Sequence, residues 1–228
     1  MFEQQPQNLQ LHVQQLANEA LQKAEPSAWF EVLYAEAQGD TTQIPWAKLS
    51  PHPYLQEWLA HHQPFVKGQK ALIIGCGLGD DAEALAKLGF EVTAFDISAT
   101  AITWCHQRFP DSSVNYVVAD LFALPAQWQL GFDFVFECRN IQALPLNVRS
   151  GAISSVASVV AHSGVILLIS YLRDIEVQPS GPPWPLSELE LKQFESLGLQ
   201  EVEKTVYQES EQFDFKQVRI EYQRSSLA

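Results

Sequence analysis

Residues 71–96 carry the stretch ALIIGCGLGDDAEALAKLGFEVTAFD, which decides the fold. It opens on a short apolar run, Ala71-Leu72-Ile73-Ile74, as expected of a strand that is buried on both faces. The glycines Gly75, Gly77 and Gly79 follow, and only glycine lets the backbone turn sharply and approach a ligand closely. A helix and a second strand come next. The stretch therefore predicts a strand, a ligand-binding loop, a helix and a parallel strand.

An acidic residue, Asp96, ends the second strand of this unit. It lies roughly 20 residues beyond the first glycine, the spacing expected of a carboxylate that binds the hydroxyls of a ribose. A charged acceptor makes such hydrogen bonds relatively strong. The alternative is that Asp96 merely caps the helix that begins near Ser98. The ribose role is the interpretation that we favour.

The alternation of strands and helices continues along the chain. Strands are predicted over 71–74, 91–95, 115–119, 132–136 and 165–170, and helices over 81–88, 98–109 and 147–162. Such alternation predicts right-handed crossovers and a mostly parallel sheet. A helix over 187–197 is followed by strands over 199–207 and 213–223, separated only by a polar turn. The predicted fold is a doubly wound, mostly parallel, seven-stranded α/β sheet with a C-terminal antiparallel hairpin.

The first 65 residues differ in pattern from the rest of the chain. Three helices are predicted there, over 8–24, over a segment that Ser27 caps and over 54–62. We predict one domain over residues 1–228, in which 1–65 form a helical cap or lid and 66–228 form the α/β core.

The residues after the glycine loop argue against a dinucleotide as the ligand. A dinucleotide-binding fingerprint needs a third glycine where Asp80 stands, and its pyrophosphate lies over the helix N-terminus. The carboxylates of Asp80 and Asp81 at that terminus repel phosphate but suit the cationic sulfonium and amino groups of S-adenosylmethionine. Asp80 is also predicted to cap the helix in a capping box with Glu83. An NAD(P)-dependent oxidoreductase stays as the alternative.

Composition and charge narrow the class of partner. The chain has 228 residues, of which 46% are hydrophobic, and a formal net charge of −13. Such an acidic surface repels nucleic acid and anionic lipid, so we predict neither as a partner. No apolar stretch approaches the roughly 20 residues that span a bilayer, and no secretory signal opens the chain. Three widely spaced cysteines suit a reducing compartment, which predicts a cytoplasmic protein.

On these motifs the chain resembles the class I S-adenosylmethionine-dependent methyltransferases, whose fold is Rossmann-like. The matching stretches are 72–81, Phe95-Asp96-Ile97-Ser98, Ala119-Asp120-Leu121-Phe122 and 131–137. The resemblance implies S-adenosylmethionine as cofactor, with the glycine loop at its methionine part, Asp96 at its ribose and Asp120 at its adenine. Glu137 and Cys138 would lie beside the transferring methyl group. The core residues implied to bind cofactor are Gly75, Cys76, Gly77, Gly79, Asp96, Ile97, Asp120, Leu121, Glu137 and Cys138.

A narrower similarity lies outside this core, with the thiopurine and thiol or halide methyltransferase group. It rests on Trp29, Tyr34, Ile44-Pro45-Trp46, Gly181-Pro182-Pro183-Trp184-Pro185-Leu186-Ser187, Phe194 and Gly198-Leu199. In that group N-terminal aromatic residues close over cofactor and acceptor, which implies cofactor contacts for Trp29 and Trp46. An indole face attracts a sulfonium by about 0.5–2 kcal/mol. The alternative for both tryptophans is core packing. The similarity implies a small methyl acceptor, such as a thiol or another soft nucleophile.

The sequence does not assign a catalytic residue. Alignment of acceptor, methyl and sulfur alone supplies about 7–11 kcal/mol of the barrier to methyl transfer. A thiolate acceptor needs no general base, whereas a hydroxyl needs one, for which His52 is the candidate. His61 and His62 point in different directions on a helix and the cysteines are dispersed, so we predict no metal. A non-catalytic S-adenosylmethionine-binding protein is a second alternative.

Overall fold

The computed structural model describes residues 7–62, 67–174, 181–208 and 216–226. Its helices are α1 (Gln7–Gln22), α2 (Ala28–Ala37), α3 (Pro53–His61), α4 (Asp80–Lys87), α5 (Ala99–Arg108), α6 (Arg149–Ser158), α7 (Glu188–Leu191) and α8 (Gln193–Ser196). Its strands are β1 (Lys70–Ile74), β2 (Glu91–Asp96), β3 (Asn115–Val118), β4 (Phe132–Cys138), β5 (Val160–Arg173), β6 (Leu186–Ser187), β7 (Leu199–Tyr207) and β8 (Lys216–Arg224).

One sheet organises these elements. Its strands follow the order β3-β2-β1-β4-β5-β8-β7, and the two-residue strand β6 pairs with β5 beside this path. The pairs among β1 to β5 are parallel, whereas β8 runs antiparallel to both β5 and β7. The strand order reverses between β1 and β4, and ligands of open α/β sheets bind at such a switch point. The doubly wound, mostly parallel sheet with antiparallel C-terminal strands is confirmed.

Both faces of the sheet are covered, which explains why β1 is a continuous apolar run. On one face Leu72 and Ile74 belong to a core that includes Ile153 of α6. On the other face Ile73 belongs to a core that includes Leu55 of α3. Helices α4 and α5 also contribute to this second core, here called the α3-side core. The two-sided burial holds the carboxyl ends of the central strands in a fixed array.

A third core joins the N-terminal helices to the sheet domain. It includes Ala17 of α1, Leu33 of α2 and Trp104 of α5, together with Leu78 of the glycine loop and Trp184. The N-terminal helices thus pack directly against the helix and loop that follow β1 and β2. The predicted boundary between residues 65 and 66 lies outside the described residues, so the division into cap and core stays a prediction.

Several predicted elements differ from the structure. The predicted helix over 187–197 is divided into two short helices, α7 and α8, and its first residue, Ser187, belongs to β6 and caps α7 in a capping box with Glu190. β6 also makes the sheet eight-stranded rather than seven-stranded. α6 ends at Ser158, since Val160 already pairs with Phe132 as part of β5. The predicted start of the last strand, 213–215, lies outside the described residues.

Two further observations concern the helices. Ser27 occupies the position before α2, but its side chain makes no capping hydrogen bond, so the predicted cap is wrong. None of the described helices is both long and apolar enough to cross a membrane.

Candidate active site

The glycine loop links β1 to α4 at the carboxyl edge of the sheet. Gly75, Gly77 and Gly79 have φ values of 56°, 53° and 88°, a region that other residues rarely adopt. A Cβ on Gly75 would lie 1.8 Å from Asn140 Oδ1, and one on Gly79 would lie 2.5 Å from the Tyr116 hydroxyl. These positions therefore have to be glycine, because the turn needs a positive φ and neighbouring side chains fill the space that a Cβ would occupy.

Cys76 contributes its backbone rather than its thiol to this loop. Its N–H donates to the Phe95 carbonyl at 2.8 Å, which ties the loop to β2. Its side chain packs against the α3-side core, and hydrogen bonding with Cys105, together with burial, raises the pKa of the thiol. Cys105 Sγ donates to the carbonyl of Gly77 at 3.2 Å. Cys76 is thus a small packing residue, as its apolar setting requires.

Asp96 lies at the end of β2, with 7% of its surface exposed. Its Oδ2 accepts from the N–H of Gly77 at 3.0 Å and its Oδ1 accepts from the N–H of Ser98 at 2.9 Å. The cap of α5 is Ser98, whose Oγ accepts from the N–H of Ala101 at 3.0 Å. The alternative capping role for Asp96 is therefore wrong. Burial raises the pKa of Asp96 to about 6 despite its backbone hydrogen bonds.

A partly open cleft lies beside Asp96. It is lined by Ser27, Phe30, Ile74, Gly75, Phe95, Asp96, Ile97, Ala119, Asp120, Leu121, Phe122, Asn140 and Leu144. Five of the predicted cofactor residues are in this set: Gly75, Asp96, Ile97, Asp120 and Leu121. Mostly apolar walls with a carboxylate at two places suit an adenosine, whose rings need apolar contact and whose hydroxyl and amino groups need acceptors.

Asn140 is a residue of this cleft that the sequence analysis missed. Its Nδ2 donates to the Ile74 carbonyl at 2.7 Å and to the Cys138 carbonyl at 3.2 Å. It thereby joins the loop after β4 to the end of β1, and its side chain occupies the space that a Cβ on Gly75 would fill. The sequence signal that could have identified Asn140 was its position just after β4, at the edge of the sheet where ligands bind.

Glu137 and Cys138 point to opposite faces, because side chains alternate along a strand. Glu137 is fully buried, and its Oε1 accepts from the N–H groups of Asn140 and Ile141 at 2.6 and 2.9 Å. Burial raises its pKa to about 7. Glu137 therefore organises the loop after β4. Cys138 packs against the α3-side core, and burial raises the pKa of its thiol.

Cys138 belongs to a group of polar residues, here called the Arg139 cluster. Its members are His52, Cys138, Arg139 and Tyr171. The guanidinium of Arg139 lies 4.7 Å from the ring centroid of Tyr171. Burial and the positive charge of Arg139 lower the pKa of His52 to about 3. The same charge lowers the pKa of the Cys138 thiol and so opposes burial, which raises it. The cluster thus combines a guanidinium with an uncharged imidazole and an uncharged thiol.

His52, the candidate base, has a structural role. Its Nδ1 accepts from the N–H of Tyr54 at 3.2 Å and caps α3. Its own N–H donates to Asp81 Oδ1 at 2.7 Å. With its lone pair in use and a pKa of about 3, His52 is a weak base.

The two aspartates at the start of α4 are not arranged as predicted. The cap of α4 is Gly79, and the carboxylate of Asp80 accepts two hydrogen bonds of 2.8 Å from Arg108. The predicted capping box with Glu83 is therefore wrong, and Arg108 compensates the charge of Asp80. Burial raises the pKa of Asp81 to about 6. The repulsion of phosphate by these side chains is weaker than the sequence suggested.

Trp46, but not Trp29, lies beside the glycine loop. Trp46 is 38% exposed, and its Nε1 donates to the Tyr34 hydroxyl at 2.8 Å. A Cβ on Gly77 would lie 3.2 Å from that hydroxyl and 3.8 Å from the Trp46 ring. Trp29 is buried and stacks on Phe30 at 3.9 Å, and it is Phe30 that lines the cleft. Trp29 is thus a core residue that packs behind the residues lining the cleft. This is the core-packing alternative given for it above.

One group of side chains in the described residues has ligand atoms close enough for a metal. His62, Glu203 and Glu221 place one such atom each within 4.8 Å of one another. Trp58 Nε1 donates to Glu221 at 2.7 Å and Arg219 Nη2 donates to Glu203 at 2.9 Å. Protein donors therefore already contact both carboxylates, and the absence of a metal stays a prediction.

Comparison with known proteins agrees with this geometry. The family model for thiopurine S-methyltransferase matches residues 36–227, most of the chain. The chain belongs to the thiopurine S-methyltransferase family. It therefore has the class I S-adenosylmethionine-dependent methyltransferase fold, with S-adenosylmethionine as cofactor. The positive-φ glycine loop and the cleft beside Asp96 fit that cofactor.

Two curated relatives and one solved structure give further comparisons. A ubiquinone biosynthesis O-methyltransferase from Albidiferax ferrireducens is 31% identical over 97 residues, 41% of this chain and 38% of the relative. A cypemycin N-terminal methyltransferase from a Streptomyces species is 31% identical over 108 residues, 47% of this chain and 43% of the relative. The chain thus spans about two fifths of the length of each curated relative.

The solved structure is the N-methyltransferase NodS from Bradyrhizobium japonicum in complex with S-adenosylhomocysteine. It has a TM-score of 0.65 and 19% identity, over 86% of this chain and 97% of that one. At this identity it shows a shared fold. All three comparisons are with methyltransferases, and the family match disfavours the alternative of an NAD(P)-dependent oxidoreductase.

Glu31 of α2 joins the cap to the rim of the cleft. Its Oε2 accepts from Ser98 Oγ at 2.6 Å and from the N–H of Thr100 at 3.1 Å. Its Oε1 accepts from Thr100 Oγ1 at 2.7 Å. These hydrogen bonds outweigh the effect of burial and lower the pKa of Glu31. Since Ser98 caps α5 two residues after Asp96, Glu31 holds α2 against the N-terminal end of α5.

Replacement of Glu31 by alanine is therefore expected to speed the dissociation of S-adenosylhomocysteine. Hydrogen bonds to a charged group contribute about 1.5–3 kcal/mol each, less where water competes, so a rate increase of about tenfold is expected. Stopped-flow competition measures this rate. Glu36→Ala is the matched control, since Glu36 lies in the same helix and pairs with His12 inside the cap at 2.8 Å. Equal rates for the two variants would contradict a role of Glu31 in holding the cap.

Proposed function

We propose that this protein is an S-adenosylmethionine-dependent methyltransferase that acts on a small molecule through a thiol or another soft nucleophile. The Arg139 cluster carries this proposal, because it supplies a positive charge beside Cys138 without a strong base. A guanidinium favours an anionic acceptor atom and lowers the pKa of a bound thiol. A thiolate is nucleophilic without further activation, so proton removal in the transition state is not required.

The acidic and basic groups near the cluster support a soft acceptor rather than a hydroxyl. A hydroxyl needs a base with a pKa near the working pH. His52 has a pKa of about 3 and caps α3, and Asp81 accepts from the backbone of His52. Glu137 lies on the opposite face of β4, where it binds the loop backbone. Asp81 combines a pKa near neutrality with an electrostatic effect on Cys138, but its Oδ1 already accepts from the N–H of His52.

The cofactor residues take proposed roles from this geometry. S-adenosylmethionine supplies an electrophilic methyl group on a sulfonium when it is bound. The cleft beside Asp96 would hold its adenosine, with Asp96 at the ribose and Asp120 at the adenine. The glycine loop would hold the methionine part under Trp46. Cys138 would lie at the methyl-transfer position, whereas Glu137 and Trp29 would act by holding the loop and the cap lining. The cytoplasmic location stays a prediction.

A screen of methyl acceptors tests the proposed activity. S-adenosylhomocysteine formation is measured with aromatic thiols, aliphatic thiols, halides, phenols and amines at equal concentration. Aromatic thiols are expected to give the highest kcat/KM, since their thiolates are abundant at neutral pH. Product formation with phenols or amines alone would contradict the proposal. Cofactor binding without product from any acceptor would instead favour the non-catalytic alternative.

Replacement of Arg139 by glutamine tests the charge that carries the proposal. The variant is expected to lower kcat/KM for thiols about tenfold, because a loss of about 1.4 kcal/mol of thiolate stabilisation corresponds to that factor. Arg224→Gln is the matched control, since Arg224 lies at the opposite end of the sheet and donates to the carbonyl of Val160 at 3.0 Å. An unchanged pH profile and kcat/KM in Arg139→Gln would refute the role of this charge.

A further inference from the structure

We propose that Gln217 binds the methyl acceptor, through an amide or lactam edge of an aromatic molecule. This inference rests on the proposed function and deepens it, since it names the chemical class of the acceptor. It comes from three observations: the position of Gln217 on the sheet, the burial of its side chain and the lack of hydrogen bonds at its amide.

Gln217 lies at the carboxyl edge of the parallel strands, next to the Arg139 cluster. In the strand register it is opposite Tyr171 of β5 and Tyr207 of β7, so the three side chains share one face. Tyr171 carries the guanidinium of Arg139 over its ring, and Tyr207 stacks with Tyr54 at 3.6 Å. Gln217 is thus an amide set between two tyrosines on the α3 side of the sheet.

The amide of Gln217 is fully buried, with 0% of the residue exposed. Within the described part of the chain, neither its Oε1 nor its Nε2 has a hydrogen-bond partner. Buried polar side chains are nearly always paired, so such a group needs an explanation. The neighbouring polar residues on the same face of β8 do have partners: Arg219 contacts Glu57 and Glu203, and Glu221 contacts Trp58. A partner that enters from the acceptor side explains the exception at Gln217.

The chemistry of the side chain indicates what that partner is. A glutamine amide offers one acceptor oxygen and two donor hydrogens, so a group with both a carbonyl and an N–H satisfies it in two hydrogen bonds. Rings on both sides favour an aromatic partner, since offset-stacked and edge-to-face contacts stabilise it. Cys138 is opposite Ile169 and Gln217 is opposite Tyr171, so the two residues are separated by two strand spacings and by two residues along β5, about 12 Å in all. An aromatic ring that carries the reacting thiol at one end and the amide at the other, together with the side chain of Gln217, spans this separation.

Two probe molecules test the inference: 4-mercaptobenzamide, which has the amide, and thiophenol, which lacks it. Wild-type protein is expected to show a kcat/KM at least tenfold higher for 4-mercaptobenzamide. Gln217→Leu is expected to abolish that preference by lowering kcat/KM for 4-mercaptobenzamide, while its KM for S-adenosylmethionine stays unchanged. Gln223→Leu is the matched control, because Gln223 is on the same strand at the opposite edge, near Ser163. A preference that survives in Gln217→Leu would overturn the inference.

Binding and stability separate this inference from the proposed function. Titration of 4-mercaptobenzamide into protein loaded with S-adenosylhomocysteine needs no turnover, and Gln217→Leu is expected to weaken it at least tenfold. Binding without turnover of either thiol would contradict the thiol activity but not the role of Gln217. The melting temperature of Gln217→Leu should equal or exceed that of the wild type, because an unsatisfied amide is replaced by an apolar group of similar size. A lower melting temperature would indicate a structural role and overturn the inference, as would no binding to the wild type.

Discussion

Replacement of Asp96 by alanine is expected to raise the Kd for S-adenosylhomocysteine by a factor of a few hundred. In the proposed complex the carboxylate accepts from both ribose hydroxyls, and each hydrogen bond to a charged group contributes about 1.5–3 kcal/mol. A total loss of about 3–4 kcal/mol corresponds to that factor, since 1.4 kcal/mol is tenfold. Titration calorimetry measures the Kd. The variant also loses the acceptor for the N–H groups of Gly77 and Ser98, which adds to the effect.

Asp133→Ala is the control for this change. Asp133 belongs to the same sheet, but its carboxylate accepts from the N–H of Lys70 at the amino edge, at 2.8 Å. Its removal should leave the Kd unchanged. A folded Asp96→Ala variant that binds as tightly as the wild type would refute the ribose role.

The pH dependence of binding gives a second check on Asp96. Its pKa is about 6, raised by burial, and the ionised carboxylate is the better acceptor for ribose hydroxyls. Affinity is therefore expected to rise as pH increases through about 6 and to fall below it. Asp81 has a similar pKa, so the informative quantity is the difference between the wild type and Asp96→Asn. An identical pH profile for both proteins would contradict the assignment.

Features that depend on neighbouring positions in the chain were predicted well. The apolar run of β1, the glycines after it and the acidic end of β2 all lie within 26 residues of one another. They predict structure in their own segment, because a buried apolar strand followed by glycines is typical of a parallel strand inside an α/β sheet and the loop after it. The hairpin of β7 and β8 follows from a polar turn between two strand patterns in the same way. These features were enough to predict the mostly parallel sheet and its antiparallel C-terminal strands.

Features that depend on contacts between distant elements were not predicted. Asn140 donates to Ile74, which is 66 residues away, and Asp80 pairs with Arg108, which is 28 residues away. No spacing rule connects such residues, so Asp80 was assigned to the nearest function, a helix cap. The partner of an ionised side chain depends on which helix packs beside it, and that is decided by the tertiary fold.

The aromatic residues of the cap show the same limit on a smaller scale. Trp29 and Phe30 are adjacent, and neighbours on a helix point about 100° apart. Which of them faces the cofactor depends on how α2 is rotated against α5, and the contacts of Glu31 with Ser98 and Thr100 hold that rotation. Resemblance favoured the tryptophan, whereas the structure places the phenylalanine in the lining.

Replacement of Arg149 by methionine is expected to lower the free energy of unfolding by about 3–5 kcal/mol, the loss typical when one partner of a buried ion pair is removed. Arg149 is 1% exposed, and its Nη1 donates to Glu190 Oε1 at 2.8 Å. It also donates to the carbonyls of Leu144, Trp184 and Pro185. The substitution leaves these carbonyls and part of the Glu190 charge without a partner in a buried setting. Urea unfolding measures the loss, and the melting temperature should fall by about 10 °C.

Lys204→Met is the matched control, because it removes a cation from a surface ion pair of the same part of the chain. Lys204 contacts Glu188 at 2.6 Å, but Glu188 is 55% exposed, and surface pairs contribute only about 0–1 kcal/mol. The two expected losses of stability differ because the surroundings differ, although the two ion pairs have similar lengths. Water replaces the lysine at the surface but cannot reach the carbonyls around Arg149. Arg173 also contacts Glu190, at 2.9 Å, and limits the loss in Arg149→Met. If both variants lost the same small free energy of unfolding, the prediction would be wrong. Arg173 alone would then satisfy Glu190, and water would hydrogen-bond to the carbonyls around Arg149.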